Sequence, residues 1–364
     1  MSSESNPAPI LGLATRVVRT RLAEPVRTAI HDAGEMDHVL VRLHAQGGVT
    51  GIGHLFAFGE GWARSLEAMV LQLGAVAVGA DAADPEALHA VLLRAIRFMG
   101  LNGAAQMAVA ALDTACWDIA GKLRREPLWS LLGGSQRQLP CYASDSLWLG
   151  APVEELAGRA RRRLELGFDA MKVRVGSSDA AADERRVAEV RAAVGSGTTL
   201  MADANQGWGR AHAIESGRRL AQHGLYWLEE PVASEDYASL RPVAEETGLL
   251  IATGESWFGL DETRAGLDTG AVSVLMPDLE RIGGVTGWIR AAAAAREAGA
   301  KVSPHLFPEV SIHLMRAQPD DHLLEWVPWF EELFEGAPTV REGRLEPGED
   351  PGLGFEFAAS VFPA

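Results

Sequence analysis

The chain is poor in cysteine: its 364 residues hold two, Cys116 and Cys141, one in a helix-like and one in a strand-like context. They make neither a disulfide framework nor a metal-spaced pair, and both read as reduced packing residues. Positive charge is scarce as well. Lys and Arg number 33 against 49 Asp and Glu, a formal net charge of −16, with an isoelectric point near 5.1. That balance argues against nucleic acid or an anionic membrane as partner, since both demand clustered cations. An anionic substrate would meet an unfavourable mean field, so cations placed at the site itself must hold it. No stretch approaches a membrane span, and the N-terminal MSSESNPAP has no basic segment followed by an apolar run. The expected location is therefore the cytoplasm. Low-complexity segments are also lacking.

Apolar residues are plentiful, at 47% of the chain, enough for a large core, and the length suggests two domains. From about residue 139, short strand signals alternate with amphipathic helical stretches. The strand candidates are LPCYAS, DAMKVRV, TTLMADA, LYWLEE, LLIATGE, VSVLMPD, KVSPHLF and HLLEW. Segments such as VEELAGRARRRLELG and RAHAIESGRRLAQHG lie between them and suit helices that end at a glycine. Eight strands with seven good connections predict an α/β fold, a (β/α) barrel over residues 139–329, with a short or missing helix after the last strand. Residues 1–138 differ. ATRVVRTRL, DHVLVRLHA and GIGHLFAF come first, then three helical stretches, which argues a separate α+β domain. The tail 330–364 has no helical period, and its closing GFEF suggests that it returns to pack on that first domain.

Three acids are equally spaced along the barrel segment: Asp203 in MADANQ, Glu229 in WLEEP and Glu255 in ATGES, each closing a short apolar run. One Asp or Glu in an acidic chain is mostly a solvated surface group. Three at one period are what successive parallel strands give when each delivers an oxygen ligand at its C-terminal end. Crowded carboxylates repel unless a cation sits among them, and Mg²⁺ suits such a set. Lys172 and Arg174 lie two residues apart, on one face of one strand. Asp278 ends VSVLMPD and His305 follows one βα unit later, so the two could pair and fix the imidazole as a general base. Glu325 stands on the last strand. Each has a bland alternative, an ordinary salt bridge or a satisfied core histidine, but together at successive strand ends they point to one site.

These motifs carry a resemblance over nearly the whole chain. Lys172-Val173-Arg174, Asp203-Ala204-Asn205, Trp227-Leu228-Glu229-Glu230-Pro231, Gly254-Glu255, Met276-Pro277-Asp278, Ile282 to Trp288 and Ser303-Pro304-His305-Leu306-Phe307 occur in this order. The chain thereby resembles the enolase superfamily, in its mandelate racemase subgroup. The resemblance implies an N-terminal α+β capping domain over a modified TIM (β/α) barrel, Mg²⁺ held by Asp203, Glu229 and Glu255, and removal of the proton α to a carboxylate of a small-molecule substrate to give an enediolate. It implies that Lys172 holds the substrate carboxylate, that Glu325 donates a hydrogen bond to it, and that His305 with Asp278 is an acid/base. Ser144 matches a carboxylate-contacting serine and Asn205 a polar position beside the ligands. Assembly of identical subunits, often eight, is implied as well.

One departure from the racemase pattern matters most. Arg174 stands where that pattern has a second lysine, the base on the face opposite the histidine, and arginine keeps its proton at any ordinary pH. With His305 as the one competent base, the expected use of the enediolate is β-elimination, the dehydration of a sugar acid to a 2-keto-3-deoxy acid. The alternatives are a racemase or epimerase of a 2-hydroxy acid, less readily a cycloisomerase, and a catalytically idle ligand-binding relative. The stretch PVRTAIHDAGEMDH corresponds to the family's lid loop, and its Arg27, His31, Asp32 and Glu35 suit a polyol better than an aromatic ring. Arg27 and His31, with His54 of GIGHLFAF, are the candidate substrate contacts of the lid.

Overall fold

The computed structural model of the protein describes residues 7–135, 137–318 and 323–363. Met1 to Asn6 of the N-terminal stretch and His322 of HLLEW lie outside them. The N-terminal part is an antiparallel meander, β1 (Ile10–Arg27), β2 (Asp32–Ala45) and β3 (Thr50–Ala57), followed by α1 (Glu60–Ala77), α2 (Pro85–Ile96) and α3 (Gly103–Arg124). Asp84 caps α2 through the Ala87 amide and Pro85 opens it, a common N-terminal signal. The alanine-rich α3 is buried almost all round. Two glycines of β3 let it approach: a Cβ on Gly51 would lie 2.0 Å from the Ala115 carbonyl oxygen, and one on Gly53 2.1 Å from that of Ala111.

A short α4 (Leu128–Leu131) leads into the barrel. Its eight parallel strands are β4 (Leu139–Ala143), β5 (Ala170–Arg174), β6 (Thr199–Asp203), β7 (Leu228–Glu229), β8 (Ile251–Thr253), β9 (Val272–Leu275), β10 (Lys301–Val302) and β11 (Leu324–Trp326). They pair in the order β10-β9-β8-β7-β6-β5-β4-β11. Each falls within one of the eight apolar runs of the sequence. The connecting helices are α5 (Val153–Glu165), α6 (Ala180–Val194), α7 (Arg210–Ala221), α8 (Tyr237–Thr247), α9 (Gly259–Leu267), α10 (Gly284–Glu297) and α11 (Pro308–Arg316). Among the described residues no ladder joins β10 to β11; the Ser303 hydroxyl donates to the Leu323 carbonyl at 2.7 Å instead. After β11 a single 3₁₀ turn, Glu331–Leu333, stands where an eighth helix would be.

Side-chain alternation sorts the strands. Met171 and Val173 join the outer core against the helices, whereas Tyr142, Met201, Trp227 and Val274 form an inner layer that floors the barrel mouth. The N-terminal domain sits over that mouth. Asp113 of α3 accepts from the Thr286 amide and hydroxyl at the start of α10, and Trp117 donates to the same hydroxyl at 2.9 Å. The tail adds β12 (Phe334–Glu335), β13 (Arg344–Leu345) and β14 (Glu356–Phe357). It meets the first domain through Leu353 N to Asp118 and Arg42 to the Pro363 carbonyl. It also pairs β13 with β4 of the barrel, a contact that its lack of periodicity concealed. Both cysteines are buried and unpaired. No helix of the described residues is long and apolar enough to cross a membrane.

Candidate active site

Ladder register aligns the barrel's charged residues. Arg174 pairs with Asp203 across β5 and β6, and Asp203 with Glu229 across β6 and β7. Asp203, Glu229 and Glu255 each bring an oxygen to within 4.8 Å of the other two, all three residues being buried. Burial, then the Asp203 charge, push the Glu229 carboxyl well above the usual range. A dense, buried, all-oxygen set with such repulsion fits a hard divalent cation. Lys172 enters from β5, its Nζ 2.5 Å from Glu229, 2.9 Å from Glu325 and 3.4 Å from Asp203. Burial lowers its pKa, but Glu229 and Glu325 outweigh that and raise it.

Arg174 donates to the Ser144 hydroxyl at 3.1 Å and lies 3.3 Å from Asp203. Its guanidinium rests on the Trp148 ring, 4.9 Å from the centroid. Burial works against its charge, but Asp203 and Glu229 raise its pKa above an already high value, so it remains a cation. Opposite, His305 holds Asp278 through Nδ1 at 2.7 Å, while Nε2 lies 3.5 Å from Glu255. Asp278 is itself fixed by the Glu280 and Arg281 amides at 2.9 and 3.0 Å. Burial alone would lower the His305 pKa; Glu255 and the Asp278 bond more than compensate and raise it. With Nδ1–H donated to the Asp278 carboxylate, Nε2 is the atom free to take a proton. Asn205 steadies Asp203 through its amide and side chain, 2.8 and 3.2 Å. The turns beside these ligands are strained: Asn205, Glu230, Leu306 and Phe307 all have left-handed φ, between 38° and 50°, a conformation that costs side-chain-bearing residues about 1 kcal/mol or more each and gathers at functional sites.

A cavity of about 450 Å³ opens above this set, between the barrel mouth and the first domain. Arg174, Asn205, Glu255 and His305 reach it, and so does His31. Burial, then the neighbouring Arg281, lower the His31 pKa. Three expectations change. The lid is a hairpin of β1 and β2 rather than a loop, and a pairing irregularity between Arg21 and Val26 resets its alternation. Val26 and Thr28 thereby face the cavity, while Arg27 turns out toward Asp32 at 3.3 Å, and Glu35 pairs with Arg19 and Arg21. His54 does not reach the cavity either: it bonds His38 at 3.0 Å and packs edge-on against Phe307 and Phe330. Glu325, expected to donate, accepts from the Leu306 amide at 2.8 Å. Burial would raise its pKa, but Lys172 and His305 hold it well below the usual range, without the proton that a donor needs.

Sequence reasoning missed Glu280 and Arg281, which line the cavity directly after the MPD motif. Glu280 accepts from the Phe56 amide at 2.6 Å, tying the first domain to the turn that holds Asp278. Two charged residues next to a proposed catalytic Asp were the available signal.

Residues 11–133 match the mandelate racemase/muconate lactonizing enzyme N-terminal domain, and residues 155–361 the enolase C-terminal domain-like family. The chain belongs to the enolase superfamily, in its mandelate racemase subgroup. Among its relatives within the superfamily, L-talarate/galactarate dehydratase of Salmonella typhimurium is 30% identical over 89% of this chain and 81% of that one. The 3,6-anhydro-alpha-L-galactonate cycloisomerase of Streptomyces coelicolor is 30% identical over 92% of each. A Bradyrhizobium enolase solved with magnesium and mandelic acid superposes with a TM-score of 0.91 at 32% identity, covering 98% of both chains. Mg²⁺ is the cofactor of this superfamily site, and the acidic triad of this chain fits it.

Proposed function

We propose that the protein removes the proton α to the carboxylate of a hydroxy acid and eliminates the β-hydroxyl, converting a sugar acid to its 2-keto-3-deoxy acid. The observation that carries this reading is the pair of groups on either side of the cavity: His305 held by Asp278 as a base, and Arg174, a fixed cation, facing it. Asp203, Glu229 and Glu255 would hold Mg²⁺, which when bound supplies positive charge for the second negative charge that deprotonation creates. Lys172, and Arg174 beside it, add to that charge. His305 Nε2 takes the C2 proton. The electron pair left on C2 forms the C2–C3 double bond as the C3 hydroxyl departs, leaving as water with a proton returned by His305. The resulting enol then tautomerises to the 2-keto acid. Inversion at C2 would need a second base on the Arg174 side, and arginine does not serve as one. Sugar-acid dehydratase relatives agree with elimination, while the cycloisomerase relative marks the nearest competing use of the same first step.

The test is incubation with Mg²⁺ and a panel of sugar acids in D₂O, following keto acid and α-deuterium by NMR. Keto acid formation that His305→Asn abolishes is the expected result. Exchange with inversion and no keto acid would overturn it in favour of a racemase.

A further inference from the structure

The cavity is divided by origin. Its charged lining, Arg174, Glu255, Glu280, Arg281 and the His305 ring, comes from the barrel, whereas no described residue lining it from the N-terminal domain carries a permanent charge. That roof consists mainly of Phe56, Phe58, Trp62, Leu66 and Met107. Its few polar groups are partly engaged: the Thr28 hydroxyl accepts from the Ile30 and His31 amides, the Ser65 hydroxyl donates to the Gly61 carbonyl, and the His31 ring packs against Phe58 at 5.4 Å. Trp148 and Trp329, stacked at 5.9 Å and 16°, add an aromatic wall on the barrel side.

The cations are distributed as unevenly. Arg174 is 6% exposed; its Nη2 donates to Ser144 and its Nη1 lies 3.3 Å from Asp203, while its Nε has no hydrogen-bond partner among the described residues. A buried guanidinium at the cavity wall, with a donor still to satisfy, suits one carboxylate. Arg281 is already engaged: its Nη1 donates to the Glu255 carbonyl at 2.9 Å and lies 3.7 Å from Asp278. On the lid strand, Arg27 points to Asp32 outside, and Arg19 and Arg21 pair with Glu35. The barrel side of the cavity therefore offers an anion a fixed cation, whereas the described residues of the N-terminal side offer it the His31 imidazole and two hydroxyls but no fixed charge.

We infer that the acid taken by this site carries a single carboxylate and an apolar far end: a 2,3-dihydroxycarboxylate that terminates in a methyl or larger hydrocarbon group. The inference rests on the proposed α-proton chemistry and narrows its substrate. A second carboxylate under the roof would lose its water without gaining a cation, and a terminal hydroxyl would lose hydrogen bonds that Phe58, Trp62 and Met107 cannot replace.

The test uses triplets of acids of one configuration that differ only at the last carbon, as methyl, hydroxymethyl or carboxylate. Turnover and α-deuterium exchange by the wild-type enzyme identify the accepted configuration. Calorimetric titration of the Mg²⁺-loaded His305→Asn protein then ranks the three without chemistry. The methyl-ended acid is expected to bind roughly tenfold tighter than the hydroxymethyl one and about a hundredfold tighter than the dicarboxylate. Trp62 is 71% exposed, so Trp62→Arg leaves the core alone, and it should shift binding toward the dicarboxylate. A dicarboxylate or hydroxymethyl acid that binds as tightly as the methyl-ended one overturns the inference while leaving the α-proton reading intact. Absence of keto acid and of exchange across every triplet overturns that reading, and the inference with it.

Discussion

Glu309 offers the sharpest test of the energetics. It lies in the first turn of α11, 2% exposed, and its Oε1 has no partner among the described residues. Burial, with a further push from Glu331, raises its carboxyl to about 8 from an ordinary 4.5. Between those two values the folded chain holds a proton that the unfolded chain releases. Its contribution to stability is therefore complete below pH 4.5 and declines as pH rises, until at pH 8 and above it has fallen by about 4–5 kcal/mol. Glu309→Gln keeps the shape and removes the ionisation. Thermal and urea unfolding at pH 5, 6.5 and 8.5 should find the variant within about 1 kcal/mol of wild type at the lowest pH and more stable by several kcal/mol at the highest. A difference between the two proteins that does not change with pH would refute the reasoning, since it would mean that Glu309 is ionised in the native state or reached by solvent.

Four further outcomes are expected. His313, one turn along the same helix, accepts from the Trp129 amide and donates to the Leu353 carbonyl; burial lowers its pKa to about 4 from 6.5. Stability should therefore fall by about 3 kcal/mol as pH drops from 6.5 to 4, and His313→Asn should flatten that limb in the same unfolding series. Mg²⁺ at a hundredfold excess over its Kd should stabilise the fold by about 2.7 kcal/mol, a gain that scanning calorimetry should find absent in Asp203→Asn. Asp278→Asn, which leaves the His305 ring without its acceptor, should lower kcat about 10²–10⁴-fold with little change in substrate affinity, measured as keto-acid release. Gly53→Ala would drive a methyl into the α3 backbone and should lower stability by about 1–3 kcal/mol or more, read from the unfolding midpoint.

Much of this site is written in the sequence because barrel chemistry sits at strand ends. Lys172 and Arg174 could be assigned to one face from a two-residue spacing, and the acids from their common period. The lid could not be read that way. The irregularity between Arg21 and Val26 inverts which residues face inward; Pro25, which cannot donate to a ladder, hints at a break there, but not at how many residues it skips. His54 shares its strand face with Phe56 and Phe58, which line the cavity; only the fold shows Phe330 covering it. The protonation of Glu325 depends on how near Lys172 comes, a distance that spacing does not carry.

The pairing of Arg174 with Asp203 and of Asp203 with Glu229 across neighbouring strands has one more consequence. A slip of one residue in β6 would turn Asp203 toward the helices and carry an outward-facing neighbour into its place. The ion's binding constant is thus a gauge of strand alignment, sensitive to disturbances far from the ion that leave helix content and overall dimensions unchanged. Magnesium titration of any variant of this chain would report whether its barrel still closes in step.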